Sequence, residues 1–256
     1  MEIIIGLLII AVGAFCQSSC YVPINKIKNW SWESYWIVQG VFAWLVFPFL
    51  GALLAVPDGH SLFEIYAAHP ADTLWAMFFG VLWGVGGLTF GLSMRYLGVA
   101  LGQSISLGTC AGLGTILTPI FTGHMEELTM PVIVGVIVTL LGIGIIGYAG
   151  NMKSASLSEE EKKKAVKDFN FTKGIFVALL AGFMSACFSI GLGFGQSLCF
   201  PESAEVYKTL PATLMVTAGG FLTNMVYCFY QNAKNKTWGD YGKTSLYVNN
   251  ILFCAL

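Results

Sequence analysis

Two apolar runs fill Thr73–Phe121, broken only by the clip Met94-Arg95-Tyr96-Leu97-Gly98. Each is about as long as the ~20 residues a helix needs to cross roughly 30 Å of hydrocarbon. Around the clip, Gly80, Gly84, Gly87 and Gly91, then Gly98, Gly102, Gly108 and Gly112, recur mostly at steps of three or four. Small residues so spaced let helices approach closely where lipid gives no hydrophobic reason to associate. A 56% hydrophobic, 11% charged chain has too little polar surface to coat a water-soluble globule of 256 residues. These features predict an all-α, polytopic transmembrane helix bundle with the lipid bilayer as its solvent.

The hydropathy pattern predicts spans at about 2–22, 34–56, 73–93, 99–121, 131–149, 174–197 and 210–230, with an eighth starting near Val248. Met1-Glu2 offers no basic flank, and the first apolar stretch runs on to Val22, so it reads as a span and not as an export signal. The last segment supplies only nine residues, Val248 to Leu256, so the chain is expected to be cut short after about seven and a half spans. Twelve of the thirteen lysines and arginines follow spans 1, 3, 5 and 7, and only Lys208 falls in an intervening loop. The positive-inside rule then puts the amino terminus outside and the 150–173 loop in the cytoplasm. The triplets beginning at Asn29, Asn170 and Asn235 would all lie inside, which makes them accidental matches to a glycosylation signal.

That charged loop separates a first membrane repeat, 1–149, from an incomplete second, 174–256. Five spans is an odd number, so a second half built like the first would enter the membrane inverted, an architecture common in carriers. Gly13–Cys20 in span 1 faintly echoes Gly182–Ser189 in span 6.

A net charge of -1, with cations scattered through loops, argues against nucleic acid as a partner. Gly142-x-Gly144-x-x-Gly147 matches a dinucleotide fingerprint, but it lies within a span with no strand before it, and reads as helix packing. His60, His69 and His124 fall in separate outer loops, and the seven cysteines form no CxxC pair, so neither a metal site nor a disulfide framework is expected. With no nucleophile, base and orienter together, no enzyme and no cofactor are expected.

Polar side chains within spans are more telling, because unpaired polar groups in hydrocarbon are costly. Gln17 and Tyr21 lie one turn apart in span 1, Gln39 in span 2, Trp83 and Thr89 in span 3, Gln103 and Ser106 in span 4, and Ser185, Ser189 and Gln196 in span 6. Each alone reads as a helix-to-helix tie; as a set they point to a polar cavity. Amides, hydroxyls and aromatic faces suit a neutral hydroxylated solute such as a sugar, so Gln17, Tyr21, Trp83, Gln103, Ser106 and Gln196 are the candidate binding residues, expected to converge near mid-membrane. Glu33 and Arg95, at the cytoplasmic ends of spans 2 and 3, are expected to pair as a gate. No carboxylate sits in the middle of a span, so an acid that couples to protons is expected beyond Leu256.

The strings Tyr21-x-Pro23-x-x-Lys26-x-Lys28-x-Trp30-Ser31-Trp32-Glu33, Trp83-Gly84-x-Gly86, Gly91-Leu92-x-Met94-Arg95-Tyr96-Leu97-Gly98 and Phe169-Asn170-x-x-Lys173-Gly174 resemble the bacterial L-rhamnose/proton symporters of the drug/metabolite transporter superfamily. The likeness extends over nearly the whole chain. It implies a ten-helix carrier of two inverted repeats in the bacterial inner membrane, importing L-rhamnose or a related deoxy sugar with a proton by alternating access. A drug/metabolite-type carrier of another small solute, or a membrane sugar sensor, are the alternatives.

Overall fold

The computed structural model describes residues 2–19, 21–24, 26–156 and 168–255. Eight principal helices follow in order: α1 (Glu2–Ser19), α2 (Trp32–Leu53), α3 (Pro70–Leu97), α4 (Val99–Thr122), α5 (Met130–Ser156), α6 (Phe171–Phe194), α7 (Leu210–Asn235) and α8 (Tyr247–Ala255). Six helical stretches, within α2 to α7, are long and apolar enough to cross a membrane. The expected spans 2 to 7 are thus present as helices, and no strand occurs among the described residues.

Helix ends follow local chemistry. Pro70 opens α3, where its missing N–H costs nothing, and the Asn170 side chain accepts from the Lys173 amide to cap α6. A single residue, Gly98, joins α3 to α4 at φ +83°, a left-handed value that glycine adopts without penalty. Within α2 the segment Val41–Val46 is a π-helix, followed directly by regular α-helix over Phe47–Leu53.

The contacts form two compact units, residues 1–46 with 225–256, and residues 47–224. In the second, α6 packs against α3 and α4, and glycines set the spacing. A Cβ on Gly84 would stand 2.7 Å from Thr223 Cβ, and one on Gly182 would stand 2.5 Å from Thr109 Cβ. Phe79, Cys187 and Ile190 form one core cluster here, and Leu97, Ile105 and Ala178 another. Along α5, Val134, Ile137, Val138, Leu141 and Ile145 are exposed, as a lipid-facing surface requires. The expectation that Gly142, Gly144 and Gly147 pack a helix is not met: a Cβ on any of them would meet nothing within 4 Å.

The first unit is held by polar contacts. Asn250 Oδ1 accepts from the Lys28 amide at 3.0 Å and its Nδ2 donates to the Lys28 carbonyl at 2.8 Å, tying α8 to the segment before α2. The Trp30 ring meets Tyr241 and Tyr247 edge-on.

Candidate functional site

In the second unit a groove of about 490 Å³ runs between α4, α5 and α6. That volume is within the ~300–1,000 Å³ usual for small-molecule sites. Its polar wall is Cys110, Thr115 and Thr118 of α4 with Ser189 of α6, and Glu127 stands at one end, in the turn between α4 and α5. Ala111, Pro119 and Val132 supply apolar surface, and Gly114 leaves room for Ser189, whose Oγ would lie 3.2 Å from a Cβ there.

Two features make the groove more than a packing gap. Thr118 Oγ1 is buried with no hydrogen-bond partner among the described residues, which costs free energy unless something else supplies one. Pro119 has no N–H to give to the Thr115 carbonyl one turn earlier, so the helix ladder lacks that bond beside the groove. By contrast, Thr115 Oγ1 donates at 2.8 Å to the Ala111 carbonyl of its own helix.

The family-like strings also meet one another. The Asn170 amide donates to the Tyr96 carbonyl at 3.1 Å, Lys173 Nζ sits 4.7 Å over the Tyr96 ring, and Gly174 leaves no room for a Cβ beside Leu97. Arg95 Nε donates to Asp168 Oδ2 at 2.5 Å.

The Trp30–Glu33 string opens onto a second polar constellation, within the first unit. Glu33 is 6% exposed, in the first turn of α2, and its Oε1 accepts from Asn235 Nδ2 and Thr237 Oγ1, both at 2.9 Å. Asp240, also buried, accepts at Oδ2 from the Ser31 amide and the Ser31 hydroxyl, each at 2.7 Å, and at Oδ1 from Lys243 Nζ at 2.6 Å. Burial opposes the charge on Asp240, but Lys243 and the Ser31 and Ser34 donors outweigh it and push its carboxyl down to about 2. Each of the two expected gating residues has partners within its own unit: Asp168 for Arg95 in the second, and the neutral donors Asn235 and Thr237 for Glu33 in the first.

Four of the expected binding residues, Trp83, Gln103, Ser106 and Gln196, lie in the second unit. The side chains of Gln17 and Tyr21 lie outside the described residues. Ser106 is buried and shares a 3.2 Å hydrogen bond with Ser93, tying α4 to α3. Trp83 packs against Phe188, ring centroids 5.0 Å apart, and over Gly220. Gln103 is exposed, one turn into α4, whereas Gln196 is exposed in a 3₁₀ turn after α6, next to Gly193, which packs on Thr118 and Thr122. At 1.5 Å per residue Thr118 is already about 22 Å along α4 from Gln103, so the two glutamines stand at different levels of this unit. Thr118 was not singled out from sequence, since a lone threonine in an apolar helix is commonplace; Ser189 was.

A bundle of membrane-length helices, three of them lining a groove, defines a multi-pass α-helical membrane protein. Residues 1–256, the whole chain, match the family described as L-rhamnose-proton symport protein (RhaT), and the chain belongs to that family, a multi-pass protein of the bacterial inner membrane. Proteins named L-rhamnose-proton symporter from Yersinia pestis bv. Antiqua (strain Antiqua), Yersinia pestis (strain Pestoides F) and Yersinia pseudotuberculosis serotype O:1b (strain IP 31758) are each 32% identical to it over 268 residues. The matched region is 99% of this chain and 76% of each relative. No solved structure shows significant similarity.

Proposed function

We propose that this protein is a carrier, and not an enzyme, that imports L-rhamnose or a related deoxy sugar together with a proton. Family membership and the names of its relatives support the solute and the coupling. The observation that carries the reading to a place in the molecule is the buried, unpartnered Thr118 hydroxyl in the groove. With Ser189 it offers hydrogen bonds to sugar hydroxyls, while Ala111, Pro119 and Val132 offer an apolar wall to the methyl group that distinguishes a 6-deoxy sugar. A site that bonds specific hydroxyls disfavours analogues that leave them unpaired. The inverted repeats 1–149 and 174–256 and the cytoplasmic 150–173 loop belong to the same proposal, supported by the odd span count and the cation asymmetry.

The test is uptake of labelled rhamnose into proteoliposomes under an inward proton gradient, with a panel of competing sugars. Thr118→Val, which keeps the shape and removes the hydroxyl, should weaken rhamnose binding by about 1–3 kcal/mol. Unchanged affinity would take the sugar site away from the groove, and no rhamnose uptake by the wild type would end the functional reading.

A further inference from the structure

The first unit contains a hydrogen-bonded chain between two buried carboxylates: Asp240 Oδ2, Ser34 Oγ at 3.0 Å, Asn232 Oδ1 at 3.1 Å, Thr237 Oγ1 at 2.9 Å, and Glu33 Oε1 at 2.9 Å. Ser34 and Asn232 are wholly buried. Counting hydrogens shows what the chain can do, because each hydroxyl has only one to give. With Glu33 ionised, Thr237 donates to Glu33 and Ser34 donates to Asn232 Oδ1. With Glu33 protonated, its new O–H can donate to Thr237 Oγ1, Thr237 turns its hydrogen to Asn232 Oδ1, and Ser34 turns to Asp240. Every group keeps a partner in both states, and only hydroxyl rotations separate them. A buried carboxylate fixed for structure alone is normally paired with a cation. No cation is paired with Glu33 among the described residues, whereas Asp240 holds Lys243.

We propose that Glu33 is the carboxylate that takes up and releases the transported proton, and that the clasp of Asn235 and Thr237 on its Oε1 is the state from which the proton has departed. This rests on the reading of the chain as a proton-coupled sugar carrier. Two hydrogen bonds and the first turn of a helix favour the carboxylate, so closing the clasp expels the proton to water and opening it lets Glu33 accept one. Asp240, compensated by Lys243, is the fixed charge at the other end of the relay. The other titratable groups facing the network are Tyr241, whose hydroxyl donates to the Ser34 carbonyl at 3.4 Å, and Cys228 beside Glu33; Tyr247 bonds the Tyr241 carbonyl, and Lys234 and Lys236 are exposed. Among the described residues no cation forms an ion pair with Glu33, whereas Lys243 pairs with Asp240.

The experiment uses the full chain in proteoliposomes. Glu33→Gln keeps the shape and an acceptor for the clasp but cannot ionise. It should abolish rhamnose-dependent external alkalinisation and gradient-driven accumulation while rhamnose counterflow continues. Alkalinisation that persists in Glu33→Gln overturns the proposal, as does loss of counterflow in a variant that still binds rhamnose, since Glu33 then serves movement and not the proton. Thr237→Val removes one donor from the carboxylate, and should move the midpoint of the pH dependence of coupled uptake upward by about half a unit to one unit. An unmoved midpoint also overturns the proposal, even where Glu33→Gln does not fold. Absence of rhamnose-dependent alkalinisation in the wild type is a different failure, and overturns the transport reading itself.

Discussion

Gly86 of α3 lies so close to Ser185 of α6 that a Cβ on the glycine would stand 2.7 Å from the Ser185 amide nitrogen. The obstacle is backbone, which cannot rotate aside. Gly86→Val should therefore force α3 and α6 apart, lowering stability by at least the ~1–3 kcal/mol typical of overpacking, read as thermal unfolding in detergent. Gly87 next to it meets nothing within 4 Å, so Gly87→Ala should unfold at nearly the wild-type temperature.

The buried Asp240 predicts an acid-sensitive term in the stability. Its folded carboxyl lies at about 2 against an ordinary 3.8, so it stabilises the fold above about pH 4, and that contribution disappears as pH falls from about 4 towards 2. Asp240→Asn should destabilise the protein at neutral pH by about 1–3 kcal/mol, since Lys243 and the Ser31 donors lose a charged acceptor. Unfolding curves of wild type and variant should converge as the pH approaches 2.

The apolar spans were legible in the sequence because crossing hydrocarbon demands length, and length is visible. The site was not, because it depends on helix phase and on where helices stop. Gln103 and Ser106 are three residues apart, about 60° around a helix, and the edge of the packed face falls between them: Ser106 is 1% exposed and Gln103 is exposed. The apolar run carries span 6 on to residue 197 and so takes in Gln196, yet α6 ends at Phe194. Thr118 carries no mark of the role proposed for it until Pro119, Ser189 and Val132 are seen around it.

This difference is measurable. Ser106→Ala should cost about 1 kcal/mol of stability through the lost bond to Ser93 and leave rhamnose affinity unchanged. Gln103→Leu should alter neither by more than about 0.5 kcal/mol. A large loss of sugar affinity in either variant would place that residue in the sugar site.

Arg95 and Asp168 are 64% and 37% exposed, so their ion pair is screened by water and salt. We expect Arg95→Ala to leave the unfolding temperature nearly unchanged and to slow transport more than it weakens sugar binding, with the wild type approaching the variant at high salt. Loss of binding by a folded Arg95→Ala protein would make Arg95 a ligand.

Ser156, exposed at the end of α5, lies in the loop proposed to face the cytoplasm. A cysteine introduced there should resist an impermeant thiol reagent on intact cells and react after permeabilisation. Labelling from outside would invert the topology.

The π-helical stretch Val41–Val46 has a consequence for how the second span can change length. Its hydrogen-bonded rings hold one residue more than those of an α-helix, so the backbone there already accommodates a surplus residue. Removing one residue, such as Ala43, would let the stretch relax to ordinary α-helix. The same deletion in the middle of α3 would turn every later side chain by about 100° and undo the fit of its glycines. Single-residue length variation in this protein should therefore be tolerated at the π-turn and excluded from the glycine-packed helices.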